Sequence, residues 1–149
     1  MKILPRYAAA IKMLVVYFLM VTASEAQSTT SSACSAYGPA ITVVSGTLAR
    51  KSFPGQPNYE NVHKGDAKET YWFVELLKPI CVYEDKNDPD LNPLQKGVHS
   101  IQLVLSPRDY DQYKGLVGKP VLATGKLFGA ISGHHHTPVL LETSSLKLK

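Results

Sequence analysis

The chain has few of the residues and patterns that mark well-known chemistry. Its 149 residues include two cysteines, one tryptophan and only 19% charged residues. No Cys-x-x-Cys pair, His-Glu-x-x-His motif or Gly-x-Ser-x-Gly turn occurs in it. These absences remove the usual zinc-site and serine-hydrolase signatures, and no pair of nucleophile and base can be read from the sequence. We therefore expect a protein that is not an enzyme.

The chain also lacks an apolar run long enough to span a bilayer. Its longest such run, residues 13–21, follows Lys2, Arg6 and Lys12 and precedes small residues at 24–26. This order is typical of a secretory signal peptide over residues 1–26. An uncleaved membrane anchor is the alternative. We expect cleavage, and no stable membrane anchor after it.

A strong charge of one sign is missing as well. Without residues 1–26, 13 basic residues face 11 acidic ones. So small an excess gives no reason to expect nucleic-acid binding, which depends on neutralising phosphates. In an exported chain, Cys34 and Cys81 are most simply a disulfide, with a reactive thiol or metal thiolate as the alternative. The predicted location is periplasmic or secreted.

What the sequence does contain is a series of β-branched and aromatic segments. They predict strands over residues 41–50, 70–82, 98–105, 120–128 and 138–148, with a short helix over residues 107–113 that Ser106 caps. The order β-β-β-α-β-β predicts a mainly β, OB-like Greek-key barrel of five strands, with its helix between strands three and four. A small β-sandwich is the alternative. The predicted organisation is a signal peptide at 1–26, a flexible leader at 27–40 and a single OB-like domain at 41–149.

The two most unusual stretches of the chain are predicted loops. Residues 53–66 join strands one and two, and residues 129–136 join strands four and five. OB-folds bind ligands between these two connections. We therefore predict a ligand-binding site with these members: Tyr59, His63, Asp66, His134 and His136. Two structural alternatives stay open, because Tyr59 could instead plug the barrel end and Asp66 could cap a turn.

Three consecutive histidines at 134–136 suggest a metal. In extended backbone His134 and His136 share a face, and together they could hold one zinc or copper ion. A third ligand would have to come from His63, Asp66 or His99. In the structural alternative, one histidine bonds to loop backbone, one packs on a tyrosine and one is solvated. A polar ligand contacted by neutral histidines is a third possibility.

Four segments carry a resemblance to a known family. They are FPGQPNYE at 53–60, KPICV at 78–82, IQL at 101–103 and GHHHTPVLL at 133–141. Together they resemble a family of small exported bacterial proteins that carry a domain of unknown function, with FPGxPNYE, PICV and GHHHTPV motifs. The resemblance implies a bacterial, exported origin, and it supplies no catalytic residue.

These observations together predict an exported, non-enzymatic binding module. Its partner would be an envelope glycan, a peptide or a protein, recognised through the two loops. The alternative is a transition-metal protein that uses the histidines, including a metal-dependent hydrolase. A hydrolase would need an open coordination position and a base, and neither can be identified from the sequence.

Overall fold

The computed structural model describes residues 34–149, so the predicted signal peptide and residues 27–33 lie outside the described residues. All five predicted strands and the predicted helix are present. A single-turn 3-10 helix lies in the loop after the first strand, and another follows the α-helix. The elements are β1 (Ile41–Pro54), β2 (Lys68–Val82), β3 (Gln95–Val104), α1 (Pro107–Tyr113), β4 (Pro120–Gly129) and β5 (Val139–Leu148).

The five strands form one sheet that closes into a ring in the order β1-β2-β3-β5-β4. Neighbouring strands are antiparallel except β3 and β5, which are parallel. β1 changes partner along its length. It pairs with β4 over residues 41–47 and with β2 over residues 46–54. Gly46 lies where the partner changes. A Cβ there would lie 2.1 Å from the Glu75 carbonyl oxygen, so only glycine allows this approach.

Alternation along the strands separates an inner face from an outer face. The inner side chains form the core, and the helix covers it through Tyr110, whose ring meets the Trp72 ring edge-on at 5.1 Å. Ser106 begins the helix with a reciprocal pair of bonds to Asp109, as its sequence predicted. The most deeply buried core residues are Leu48, Val74, Val82, Ile101, Leu103, Val121, Leu127, Val139 and Leu141.

The predicted disulfide joins Cys34 to Cys81. Beside it, Ser35 forms a parallel bridge to Val82 at the end of β2. Tyr37 is 5% exposed, and its hydroxyl donates to the Pro93 carbonyl oxygen at 2.9 Å. The described part of the predicted flexible leader, residues 34–40, is thus anchored to the sheet. The reason is that a covalent bond and a buried ring hold it there.

Within residues 34–149, no helix has both the length and the apolar character needed to cross a membrane.

Candidate functional site

Two loops meet at one edge of the ring. We call residues 55–67, between β1 and β2, the tyrosine loop, and residues 130–138, between β4 and β5, the histidine loop. The Tyr59 hydroxyl lies 3.5 Å from His134 Nε2, and the two rings meet edge-on with centroids 5.6 Å apart. A Cβ on Gly133 would lie 3.6 Å from the Tyr59 ring, so this ring also packs on loop backbone. The two loops are neighbours, as the sequence predicted. We call the surface that residues 55–67 and 130–138 form together the rim.

The tyrosine loop is organised around the buried carboxylate of Asp66. Its Oδ1 accepts the backbone N–H of Asn58 at 2.9 Å, and its Oδ2 accepts those of Glu60 and Asn61 at 2.8 Å each. The Asn58 side-chain amide donates a further bond. These bonds hold the pKa of Asp66 below its usual value. Asp66 therefore acts within its own loop, as the turn-cap alternative proposed.

This carboxylate fixes Tyr59 in an unusual backbone conformation. Tyr59 has φ 59°, and it is the one described residue other than glycine with a positive φ. A left-handed conformation costs a bulky residue about 1–2 kcal/mol. The bonds from Asp66 to residues on both sides of Tyr59 offset this cost. The loop thus presents the Tyr59 ring, which stays 38% exposed, to the histidine loop.

The histidine loop lies over an aromatic patch on the outer face of β1 and β2. Alternation places Phe53 of β1, and Tyr71 and Phe73 of β2, on this outer face, while Trp72 points into the core. The Phe53 ring is 6.4 Å from the Tyr71 ring and 5.8 Å from the Phe73 ring. The Phe53 ring packs against Phe73, and the Lys51 ammonium lies 5.0 Å from the Phe73 ring centroid. These contacts cover Phe73, which is 1% exposed although it faces away from the core.

His134 joins a cluster with Glu69 and Tyr71. His134 Nδ1 lies 2.9 Å from Glu69 Oε2 and 2.9 Å from the Tyr71 hydroxyl, which itself donates to Glu69 Oε2 at 2.5 Å. Bonds from Tyr71 and His134 hold the pKa of Glu69 below its usual value, while burial and the bond to Glu69 raise the pKa of Tyr71. An ionised carboxylate only accepts, so we assign the neutral ring's proton to Nδ1. Nε2 then faces Tyr59 as an acceptor.

His136 packs rather than pairs. Its ring lies flat on the Phe53 ring, with centroids 3.7 Å apart and planes 5° apart, and 5.1 Å from the Tyr71 ring. Its buried Nε2 has no hydrogen-bond partner in the described residues. Burial lowers the pKa of His136, so the ring is neutral near pH 7.

His135 faces the other way, towards Phe128 of β4. The two rings meet edge-on at 5.6 Å, and His135 Nδ1 accepts the backbone N–H of Ile131 at 2.9 Å. Burial also lowers the pKa of His135. His134 and His136 both reach Tyr71 and His135 does not, as predicted, although residues 133 and 134 form a turn rather than extended backbone. His135 bonds to loop backbone, as the structural alternative proposed, whereas His136 lies flat on Phe53 rather than on a tyrosine.

Gln102 of β3 fixes the histidine loop to the sheet. Its side-chain amide donates to the His134 carbonyl oxygen at 2.8 Å, and its Oε1 accepts the His136 N–H at 2.7 Å. Its backbone N–H donates to the Thr137 hydroxyl at 3.0 Å. Gln102 is 2% exposed and these bonds satisfy it. The loop is thus tied to β3 as well as to β2.

The metal hypothesis lacks a ligand set here. His63 is exposed on the 3-10 turn Val62–Lys64, and His99 is exposed on β3. Asp66 is occupied by backbone groups, and His136 Nε2 is buried against aromatic rings. Over residues 34–149, no group of three or more histidine, cysteine, aspartate or glutamate side chains is arranged to hold a metal ion.

Sequence reasoning missed several residues that contact the rim. Glu69 and Tyr71 bond to His134, Phe53 packs on His136, and Gln102 bonds to the backbone of both histidines. None of the four was among the predicted site residues. A signal existed for Tyr71, because Tyr71 and Phe73 alternate along one predicted strand and so share a face. Glu69 lies just before that predicted strand. No local pattern marks Gln102, since its partners lie more than 30 residues away.

One segment of the chain matches a family model. Residues 100–147 match a family model described as a domain of unknown function (DUF4431). The predicted resemblance to a family with such a domain is confirmed over this segment. It contains Gln102 and the histidine loop, whereas Tyr59 and Glu69 precede it. No curated protein matches the chain significantly, and no solved structure does.

Proposed function

We propose that this chain is an exported, non-enzymatic binding module that recognises an envelope ligand or a partner protein through the rim. One observation carries the proposal. Tyr59, in a strained backbone conformation, is held by Asp66 against His134 of a distant loop. Natural chains retain such strain mostly at functional positions. The Tyr59 side chain and its loop are already ordered before a ligand binds. Binding therefore costs less conformational entropy, which favours affinity.

The exposed chemistry of the rim suits a polar ligand with a flat or apolar face. The Tyr59 ring is 38% exposed and the His134 side chain 44% exposed, so both can be reached from solvent. The ring offers a stacking surface, and His134 Nε2 offers an acceptor. An envelope glycan or a peptide combines hydroxyl or amide donors with apolar surface, and it therefore fits these groups.

A non-enzymatic role agrees with how the polar groups are used. Glu69, Tyr71 and the Nδ1 atom of His134 bond to one another. Among the contacts of residues 34–149, no serine, threonine or cysteine side chain bonds to His134, so the cluster has no adjacent nucleophile.

We further propose that the ring is an OB-like Greek-key barrel. Its strand order, the parallel pair β3–β5 and the helix between β3 and β4 support this description. In such barrels the loops that form the rim border the ligand face. The pairing of β1 with β4 closes the ring, so it is the contact to test. Amide-proton contacts between Val43 and Thr124 in solution would test it.

Export is proposed from the signal-like residues 1–26, and the disulfide is compatible with a periplasmic or extracellular location. Mass spectrometry of chain recovered from a bacterial periplasm tests it. The expected mass lacks residues 1–26 and carries oxidised cysteines. Full-length, reduced protein in the cytoplasm would contradict export.

Binding is tested by nuclear magnetic resonance titration of the purified, disulfide-bonded chain. The probes are a soluble peptidoglycan disaccharide-peptide and the free disaccharide. We expect shifts in the signals of Tyr59, His134 and His136, and their loss in Tyr59→Ala. His63→Ala is the matched control, because His63 lies in the same loop without contacting His134. Shifts that survive Tyr59→Ala, or rim signals that stay fixed for both probes, argue against this site.

A further inference from the structure

A second surface lies away from the rim, where β1 and β2 separate. Their pairing starts at Gly46 and Leu76, so residues 41–45 of β1 have no partner on the side that faces β2. On their other side the same residues pair with β4. Residues 77–81 of β2 likewise have no partner in β1. Two strand edges therefore face each other across an open gap.

A cavity of about 310 Å³ occupies this gap. Its lining includes the consecutive residues Val43, Val44 and Ser45 of β1, and Leu76, Leu77 and Lys78 of β2. Consecutive residues of a strand point to opposite faces of the sheet. A cavity that touches all of them lies in the plane of the sheet, between the strand edges. The geometry is that of a missing strand segment.

The side chains around the gap are unusually apolar for an exposed surface. Val43 is 59% exposed, Leu77 is 63% exposed, and Ile41 nearby is 61% exposed. The Ser45 hydroxyl is buried at the same place without a hydrogen-bond partner in the described residues. Buried hydroxyls are normally satisfied, so Ser45 is an exception beside the gap.

The chain already uses one end of this edge for pairing. Ser35 lines the cavity, its N–H donates to the Cys81 carbonyl oxygen at 2.9 Å, and its own carbonyl oxygen accepts the Tyr83 N–H at 2.8 Å. This parallel bridge covers a single residue of the edge. The disulfide beside it holds the end of the gap in place.

We propose that the gap between β1 and β2 is a docking site for an extended peptide segment of a partner protein, one that carries apolar and acidic side chains. The segment adds as a strand, and its backbone bonds to the free edges of residues 41–45 and 77–80, where Pro79 offers only its carbonyl oxygen. About four to five residues fit, since a strand rises ~3.3 Å per residue. Its apolar side chains cover Val43 and Leu77.

The charge of the gap selects an acidic partner. Lys78 and Lys149 are the charged residues that line the cavity, and no aspartate or glutamate lines it. Residues 27–33 of the chain itself read Gln-Ser-Thr-Thr-Ser-Ser-Ala, with no acidic and no large apolar residue. They match neither the exposed Val43 and Leu77 nor the lysines. A foreign segment with the required chemistry fits better.

The test uses the purified, disulfide-bonded chain and a synthetic eight-residue peptide in which valine alternates with glutamate. Titration followed by nuclear magnetic resonance is expected to shift the amide signals of Val43, Ser45 and Leu77. It should leave those of Tyr59 and His134 unchanged. The same peptide with lysine in place of glutamate is expected to bind more weakly, and added salt to reduce the difference.

Two exposed leucines distinguish docking in the gap from nonspecific apolar binding. Leu77→Asp is expected to weaken binding about tenfold or more, because it removes one large apolar contact and adds a like charge. Leu94→Asp, at a similarly exposed leucine outside the gap, should have no effect, and neither should Tyr59→Ala.

Four results would overturn the proposal. The first is no shift at saturating peptide, and the second is shifts confined to the rim. The third is concentration-dependent self-association that Leu77→Asp abolishes, which would assign the face to a second copy of the chain. The fourth is contacts between residues 27–33 and Val43 without peptide, which would mean that the chain fills its own gap.

Discussion

Nδ1 of His134 lies 2.9 Å from Oε2 of Glu69, although 65 residues separate the two in the chain. Through this contact the histidine loop is held on β2. Glu69 also accepts from Tyr71, so one carboxylate fixes two side chains that line the rim. The contact makes the rim sensitive to changes at either residue, and it leads to the first prediction.

Replacing Glu69 with glutamine should loosen the histidine loop while leaving the ring of strands intact. Glutamine keeps the shape but loses the charge that strengthens both bonds. We expect the free energy of unfolding to fall by about 1 kcal/mol, measured by urea denaturation. The His134 ring signals should shift as well. Glu60→Gln is the control, because the Glu60 side chain is exposed in the same region. An equal effect of both variants would contradict a specific role for Glu69.

A side chain at position 55 should displace the Glu69 carboxylate for a steric reason. A Cβ at this position would lie 2.4 Å from Cδ and Oε1 of Glu69. Gly55→Ala should therefore push the carboxylate away from His134 and cost about 1–3 kcal/mol of stability, as overpacking commonly does. Gly115→Ala serves as control, since a Cβ there meets no atom within 4 Å. If Gly55→Ala has the same melting temperature as the wild type and the same His134 signals, the assigned packing is incorrect.

Asp66 should make the tyrosine loop sensitive to acid. Its folded-state pKa is lowered, so its contribution is present above the ordinary aspartate value of 3.8 and is lost as the pH falls through the lower folded value. Asp66→Asn should therefore lower the free energy of unfolding at pH 7. The difference in this free energy between the variant and the wild type should be smaller at pH 3. Urea denaturation at both pH values measures this. Asp90→Asn, on an exposed loop, should show no such change. The same difference in stability between Asp66→Asn and the wild type at both pH values would refute the prediction.

His136 should destabilise the fold as the pH falls below the ordinary histidine value of 6.5. Burial lowers its folded pKa, so the unfolded chain binds a proton there that the folded chain does not. In His136→Phe, the free energy of unfolding should decrease less between pH 7 and pH 5 than it does in the wild type. Because it also removes a buried nitrogen without a partner, we expect no loss of stability at pH 7.

His136→Asn tests whether charge or packing is responsible. This variant cannot titrate, so it should flatten the same profile. It should also lower stability at every pH, since an amide on the Phe53 ring leaves polar atoms buried. A steep profile in both variants would mean that other groups dominate the pH dependence.

Much of the architecture followed from local patterns. The β-branched segments and turn residues located all five strands, and Ser106 and Pro107 located the helix. The order of elements indicated which loops would be neighbours, so Tyr59 and His134 were expected together. Glu69 was not, because it lies at the start of a strand with no feature of its own. Asp66 had a second interpretation as a turn cap, and its four bonds agree with that interpretation.

Local patterns in the chain were enough to locate the elements, the Cys34–Cys81 pair and the two loops that form the rim. These features depend on side-chain periodicity, on backbone restrictions and on cysteine count, all of which are local or countable. Three other features came only from the folded arrangement: the bond of His134 to Glu69, the stacking of His136 on Phe53, and the end of the β1–β2 pairing at Gly46. They depend on how the strands are paired in register. A shift of one residue would turn the same side chains to the opposite face.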